Sequence, residues 1–249
     1  MKKIVLFLLF ALVSRATAQT PEEKFRKATE LYNQAQYEQA VRLYKEILQA
    51  GKTSAALYFN LANAYYKQGQ VAPAIYYYEK AQKLDSADPE IQDNKRFAQQ
   101  MLIDKITPLP QTWFERLTHK VVGLASASGW GVCAILWGVG FVLSFLAYYF
   151  VEKILLKRLF FTLMLGMLLF SGGSYLLGRQ SQGLQTQPYG ILFDKSARVF
   201  SEPNTYSKEA FSLHEGTKVE ILERLAEWYK IRIADGKTGW IRQESLKEI

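Results

Sequence analysis

Few residues in this chain could carry covalent or acid–base chemistry. It has two histidines, His119 and His214, and one cysteine, Cys133. A metal site needs several such side chains at ligand spacing, and none are so spaced. No Gly-rich phosphate loop, nucleophile elbow or zinc motif occurs. Cys133 sits inside a long apolar run and has no second cysteine to pair with. It reads as a small buried thiol, because a redox sensor needs an exposed thiol of lowered pKa. The expectation is a protein that is not an enzyme, with no catalytic residue, no cofactor and no metal. What remains is the chemistry of binding, carried by aromatic and small residues at regular spacing.

That spacing is 34 residues. Ala28, Leu31 and Tyr32 return as Ala62, Tyr65 and Tyr66, and Ala40, Val41 and Tyr44 return as Ala74, Ile75 and Tyr78. Small residues let two helices cross closely, and aromatics interlock them; a repeat of this length is a helix pair that stacks on its neighbours. The second copy resembles a tetratricopeptide repeat at Tyr58, Leu61, Ala62, Tyr65, Gly69, Ala74, Tyr78 and Ala81. The first copy departs from the pattern, with Ala35 at the glycine of the turn. The repeat region is expected to span 21–106, with a capping helix over Pro89–Ile106 started by Asp88 and Pro89. The resemblance implies a groove lined by Thr29, Tyr32, Asn33, Phe59, Asn63, Tyr66 and Lys67 that binds a protein partner; packing between repeats is the competing use of these aromatics.

The repeats must be joined to a membrane segment. After Pro108 and Pro110, residues 107–128 form a linker and an amphipathic helix in which Trp113, Phe114, Leu117, Val121 and Val122 recur beside Arg116 and Lys120. His119 falls on its polar part. Two apolar runs come next, 129–151 and 159–177, each long enough to cross a bilayer, which takes about 20 residues. Residues 152–158 link them and carry Lys153, Lys157 and Arg158. Neither run holds an ionisable group of the kind that marks an ion path. Gly131, Ala134, Gly138, Gly166 and the Ser171–Ser174 cluster suit close helix packing, of the runs on each other or on a partner. Residues 1–18 read as a signal peptide: Lys2 and Lys3, an apolar core, and Ala16–Thr17–Ala18. Export of the chain from residue 19 onward leaves the 152–158 link cytoplasmic, in agreement with its positive charge. Both soluble parts then lie on the outer, periplasmic side of a bacterial inner membrane.

From 187 to 249 the period shortens to two. Tyr229–Ile233 alternates, and Asp235–Gly236 is a tight-turn signal before Gly239–Trp240–Ile241. A small all-β barrel is expected. The string Val199, Ser201–Glu202–Pro203, Phe211, Gly216–Val219, Trp228–Ile231, Gly236 and Gly239–Ile241 resembles a bacterial SH3 domain. That resemblance implies peptide or cell-wall ligands, with Tyr206, Trp228 and Trp240 as candidate contacts; Tyr229, Ile231 and Ile233 share the other strand face and belong to the core.

The net charge of +8 does not point to nucleic acid. Residues 19–110 carry 12 basic and 11 acidic groups, and 187–249 carry 10 of each; the excess is in the first 18 residues and beside the membrane runs. The order of segments resembles the BatE-type proteins of the Bacteroides aerotolerance operon. That likeness implies a membrane complex with von Willebrand factor A-domain proteins and a MoxR-type AAA+ ATPase, and a part in tolerance of oxygen or envelope stress. On this reading the chain is a membrane-anchored scaffold; a peptidoglycan receptor acting through the SH3-like part is the alternative.

Overall fold

The structure is a computed structural model that describes residues 20–110 and 112–249. The expected signal peptide lies outside the described residues. The chain forms two compact units. One joins residues up to Thr107 with Pro188–Ile249, and the other is Pro108–Gln187.

The first unit begins with five helices: α1 (Pro21–Asn33), α2 (Tyr37–Gln49), α3 (Ala55–Lys67), α4 (Val71–Leu84) and α5 (Pro89–Gln99). Their starts are written locally. Thr20 caps α1 in a capping box with Glu23, Ser54 accepts from the Leu57 N–H, and Asp88 accepts from the Glu90 and Ile91 N–H groups. Positions 20, 54 and 88 keep the 34-residue step, so α5 stands where a third repeat would begin. The small and aromatic positions of the period are the core: Ala28, Ala40, Tyr44, Ala62, Ala74 and Tyr78 are wholly buried.

The capping helix is shorter than expected. It ends at Gln99, not Ile106, in tightened bonds from the Gln100, Met101 and Leu102 N–H groups to carbonyls three residues back. The chain then runs without helix through residue 107. Tertiary contacts override the helical pattern here: Leu102 packs on the repeat core and Ile106 on the core of the C-terminal sheet.

That sheet has seven antiparallel strands: β1 (Tyr189–Leu192), β2 (Ser196–Phe200), β3 (Glu209–His214), β4 (Lys218–Leu225), β5 (Trp228–Arg232), β6 (Thr238–Arg242) and β7 (Leu246–Glu248), in the order β3-β2-β6-β5-β4-β1-β7. Leu192, Val199, Leu213, Val219, Ile231 and Ile241 fill its core, and Tyr229 and Ile233 join them as the alternation predicts. Gly236, at φ +89°, makes the β5–β6 turn, with the Lys237 N–H donating to Asp235.

The second unit holds α6 (Trp113–Val122), α7 (Ala127–Phe150) and α8 (Ile154–Thr186). The last two are long and apolar enough to cross a membrane by length and composition. The link is Val151–Lys153 rather than 152–158. Lys157 and Arg158 lie in the first turns of α8, where the Lys157 N–H bonds the Lys153 carbonyl. Lys and Arg are good helix formers, so charge ends the apolar run without ending the helix. For the same reason α8 continues beyond Leu177 to Thr186. The two long helices pack on each other. The Ser171 hydroxyl donates to the Ala134 carbonyl at 2.9 Å, the Ser144 hydroxyl faces the Met167 sulfur at 3.3 Å, and Gly178 meets Trp130. Gly166, Gly172 and Gly173 face open space.

Candidate protein-binding site

Each repeat is closed by the same pair of contacts. In the first, the Tyr44 hydroxyl bonds the Thr29 hydroxyl at 3.0 Å and its ring lies 5.7 Å from Phe25. In the second, the Tyr78 hydroxyl donates to Asn63 Oδ1 at 2.5 Å and its ring lies 6.0 Å from Phe59. Burial pushes both tyrosine pKa values up. Thr29, Asn63 and Phe59 thus hold a helix pair together. Tyr32 is half-buried and meets Tyr37 edge-on. Tyr66 is half-buried, and Asn33 and Lys67 are exposed.

Two further residues continue this face, Phe97 and Met101, the latter expected on the inward stripe of the capping helix with Ile91, Ala98 and Leu102. Thr29 and Asn63 continue at the same step to Phe97, and Asn33 and Lys67 continue to Met101. The chain supplies no second helix for the third repeat, so no tyrosine packs back on these side chains. Phe97 is 54% exposed and Met101 39%. The 34-residue spacing was the signal that could have found them.

The β-domain packs on α4 beside α5. Glu79 is 7% exposed and bonds Lys95 of α5 at 3.0 Å and Lys218 of β4 at 2.7 Å. Burial alone would raise its carboxyl; Lys218 and Lys95 hold it below its ordinary value. Asp104 accepts from the His214 backbone N–H, its ring Nδ1 and the Thr217 hydroxyl, each at 2.7 Å. Burial opposes that charge too, and these donors outweigh it, keeping Asp104 low. The apolar part of the seam sets Tyr76 edge-on to Phe193. Gly216, at φ +85°, comes so close to Leu102, Val71 and Ile75 that a side chain there would clash. His214, a possible chemical group by type, is therefore a structural donor. The His119 side chain lies outside the described ones.

On the outer face of the sheet, Trp228 and Trp240 come together with Phe200 and are 8% and 9% exposed. Arg242 lies over Trp228 and Lys230 over Trp240. These cations cover the rings that a ligand would stack on. Tyr206, in the β2–β3 loop, is 99% exposed and belongs to no such cluster. Among the described residues no group of three or more His, Cys, Asp or Glu is placed to hold a metal.

Comparison with known proteins agrees with this architecture. Residues 55–88 match the tetratricopeptide repeat model and 195–247 the bacterial SH3 domain model. The chain joins a tetratricopeptide repeat to a bacterial SH3 domain. No curated protein matches it. Among solved structures it is similar to NlpC2 from Trichomonas vaginalis, 25% identical over 26% of this chain and 26% of that one, with a TM-score of 0.23. NlpC1 from the same organism is 25% identical over 26% and 24%, with a TM-score of 0.24. An NlpC/P60 family protein from Bacillus cereus is 14% identical over 28% and 23%, with a TM-score of 0.22. The chain spans about a quarter of the length of these proteins.

Proposed function

We propose that this chain is a non-enzymatic, membrane-anchored scaffold whose repeat face binds a protein partner. The observation that carries this reading is the exposed line Asn33, Lys67, Met101 with Phe97 beside it. It is a surface with apolar anchors and a cation. The shared unit of repeats and SH3 domain restricts the topology of a membrane-crossing hairpin. The two parts flank the helical hairpin in sequence yet pack together. A membrane crossed between them must be crossed an even number of times, as α7 and α8 would do. With the signal-peptide reading, both parts lie on the periplasmic side of the inner membrane.

By resemblance to the BatE-type proteins, the partners are von Willebrand factor A-domain membrane proteins acting with a MoxR-type AAA+ ATPase, in tolerance of oxygen or envelope stress. The repeats and the SH3 domain would act as one body, because the seam through Glu79 and Asp104 fixes them to each other. This differs from two sites on a flexible tether, where effective concentration sets the gain.

The test is crosslinking in native membranes with Lys67→Glu and Phe97→Glu, which alter the face and leave the seam intact. Loss of von Willebrand A-domain partners in both variants supports the scaffold. Undiminished capture moves the contact off the repeats. The second reading, a peptidoglycan receptor, is favoured by the bacterial SH3 match. It predicts that the purified chain sediments with isolated cell wall and that Tyr206→Ala weakens this.

A further inference from the structure

We propose that the end of the hairpin where α7 begins and α8 finishes holds the headgroup of an anionic phospholipid, with Arg179 as its cation. This rests on the reading that the two helices cross a bilayer. A cavity of about 600 Å³ lies there, lined by Ser126, Ser128, Gly131, Tyr175, Arg179 and Gln182 among others. Its origin is a change of contact along the helix pair. Gly178 brings the helices together, with Trp130 Cβ only 3.3 Å from where its own Cβ would be. The next residue of α7, Gly131, has no neighbour within 4 Å of where its own Cβ would be, and the space beside it stays open.

The lining contains one cation and no carboxylate. A guanidinium suits a phosphate because its donors form a planar fork that matches two phosphate oxygens. The Ser126 hydroxyl is committed to the Gly129 N–H, and the Ser128 hydroxyl bonds Ser126 at 3.0 Å. With Ser126 donating its own hydrogen to Ser128 Oγ, the single Ser128 hydrogen is left to bond an anion's oxygen. A free phosphate would share this chemistry. The surroundings select a lipid: Tyr175, Leu176 and Val132 are exposed apolar surface on the same two helices, where acyl chains can lie.

Helix α6 adds a second, independent argument. It exposes Trp113, Phe114 and Leu117, and its end is held to α7 by the Trp130 indole N–H, which donates to the Val122 carbonyl at 3.1 Å. Arg116 and Lys120 lie on it beside the single acid Glu115. An amphipathic helix of this kind sits in the headgroup layer, and its charge favours an anionic one.

The experiment uses the full-length protein in nanodiscs of equal parts phosphatidylcholine and phosphatidylglycerol. After transfer to mild detergent, native mass spectrometry reads the retained lipid. Phosphatidylglycerol is expected to be enriched on the wild type, to fall about fivefold in Arg179→Gln, and to return only in part in Arg179→Lys, which keeps the charge and loses the fork. Lys157→Gln, at the opposite end of the hairpin, is the control and retains it. No enrichment, an unchanged Arg179→Gln, or an equal loss in Lys157→Gln overturns the proposal; so does displacement of the lipid by inorganic phosphate. Alkaline carbonate extraction separates the two readings. A chain released from membranes defeats the bilayer reading and this site together, whereas a retained chain without lipid preference defeats this site alone.

Discussion

The two repeats are made of the same parts, but the first packs onward on one neighbour and the second on two. Helix α2 closes the first repeat and meets α3. Helix α4 closes the second and meets both α5 and the SH3 domain. The position of Lys45, exposed on α2, is that of Glu79, buried on α4. The same place in the period is a solvated face in one copy and a seam in the other. What lies beyond a repeat decides the role of its outer residues.

Substitutions at matched positions test this contrast, most cleanly in a fused body that joins Thr107 to Pro188 by a short flexible linker. The largest effect is expected at Glu79. Glu79→Ala takes the carboxylate from Lys95 and Lys218 and should cost about 2–3 kcal/mol, less than a fully buried pair because Lys95 keeps Gln82 and Lys218 is 37% exposed. Lys45→Ala should change urea stability by less than about 0.5 kcal/mol. Equal effects would mean that the seam contributes nothing.

Acid titration sharpens the same point. Glu79 and Asp104 are both held below their ordinary values. Their stabilisation is complete above the unfolded values of 4.5 and 3.8, and is lost as pH falls through the lower folded ones. The fused body should therefore lose stability below about pH 4.5. Glu79→Gln should be weaker at neutral pH yet less sensitive to acid in circular dichroism.

The turns inside the repeats come next. Ala35 has φ +60° and Gly69, at the matched position, φ +72°. A Cβ at Gly69 would meet nothing within 4 Å, so only backbone strain separates the two residues. Gly69→Ala should destabilise by about 1 kcal/mol and Ala35→Gly should stabilise by a similar amount. Thermal unfolding checks both, and a destabilised Ala35→Gly would refute the account.

Tyr78→Phe and Tyr44→Phe should each cost about 1 kcal/mol through the lost hydroxyl bond, with Tyr78→Phe the larger because its partner Asn63 has fewer ways to re-pair. Phe97→Ser, like Lys45→Ala, should cost little, under about 0.5 kcal/mol, because the ring is already half in solvent. A large loss there would make Phe97 a core residue and remove the main support for the binding face.

The candidate sites were legible only in part. The resemblance sets Thr29 and Asn63 in a partner-binding groove, whereas their bonds go to tyrosines 15 residues on, in the paired helix. Trp228 and Trp240 are on the strand face opposite Tyr229, as alternation requires. Their burial under Arg242 and Lys230 depends on which strands lie side by side, and strand order is not written in any one strand.

The sequence by itself determined the 34-residue period, the caps at Thr20, Ser54 and Asp88, the two apolar helices and the alternating strands. Each is a local pattern, read by neighbours within a few residues or one repeat. Only the tertiary structure decided where α5 stops, that Leu102 and Ile106 enter different cores, and that the SH3 domain closes the repeat array. Asp104 and His214 are 110 residues apart, with the whole hairpin between them. No local period records such a pairing; it forms because a buried carboxylate keeps its charge only where folding brings donors to it.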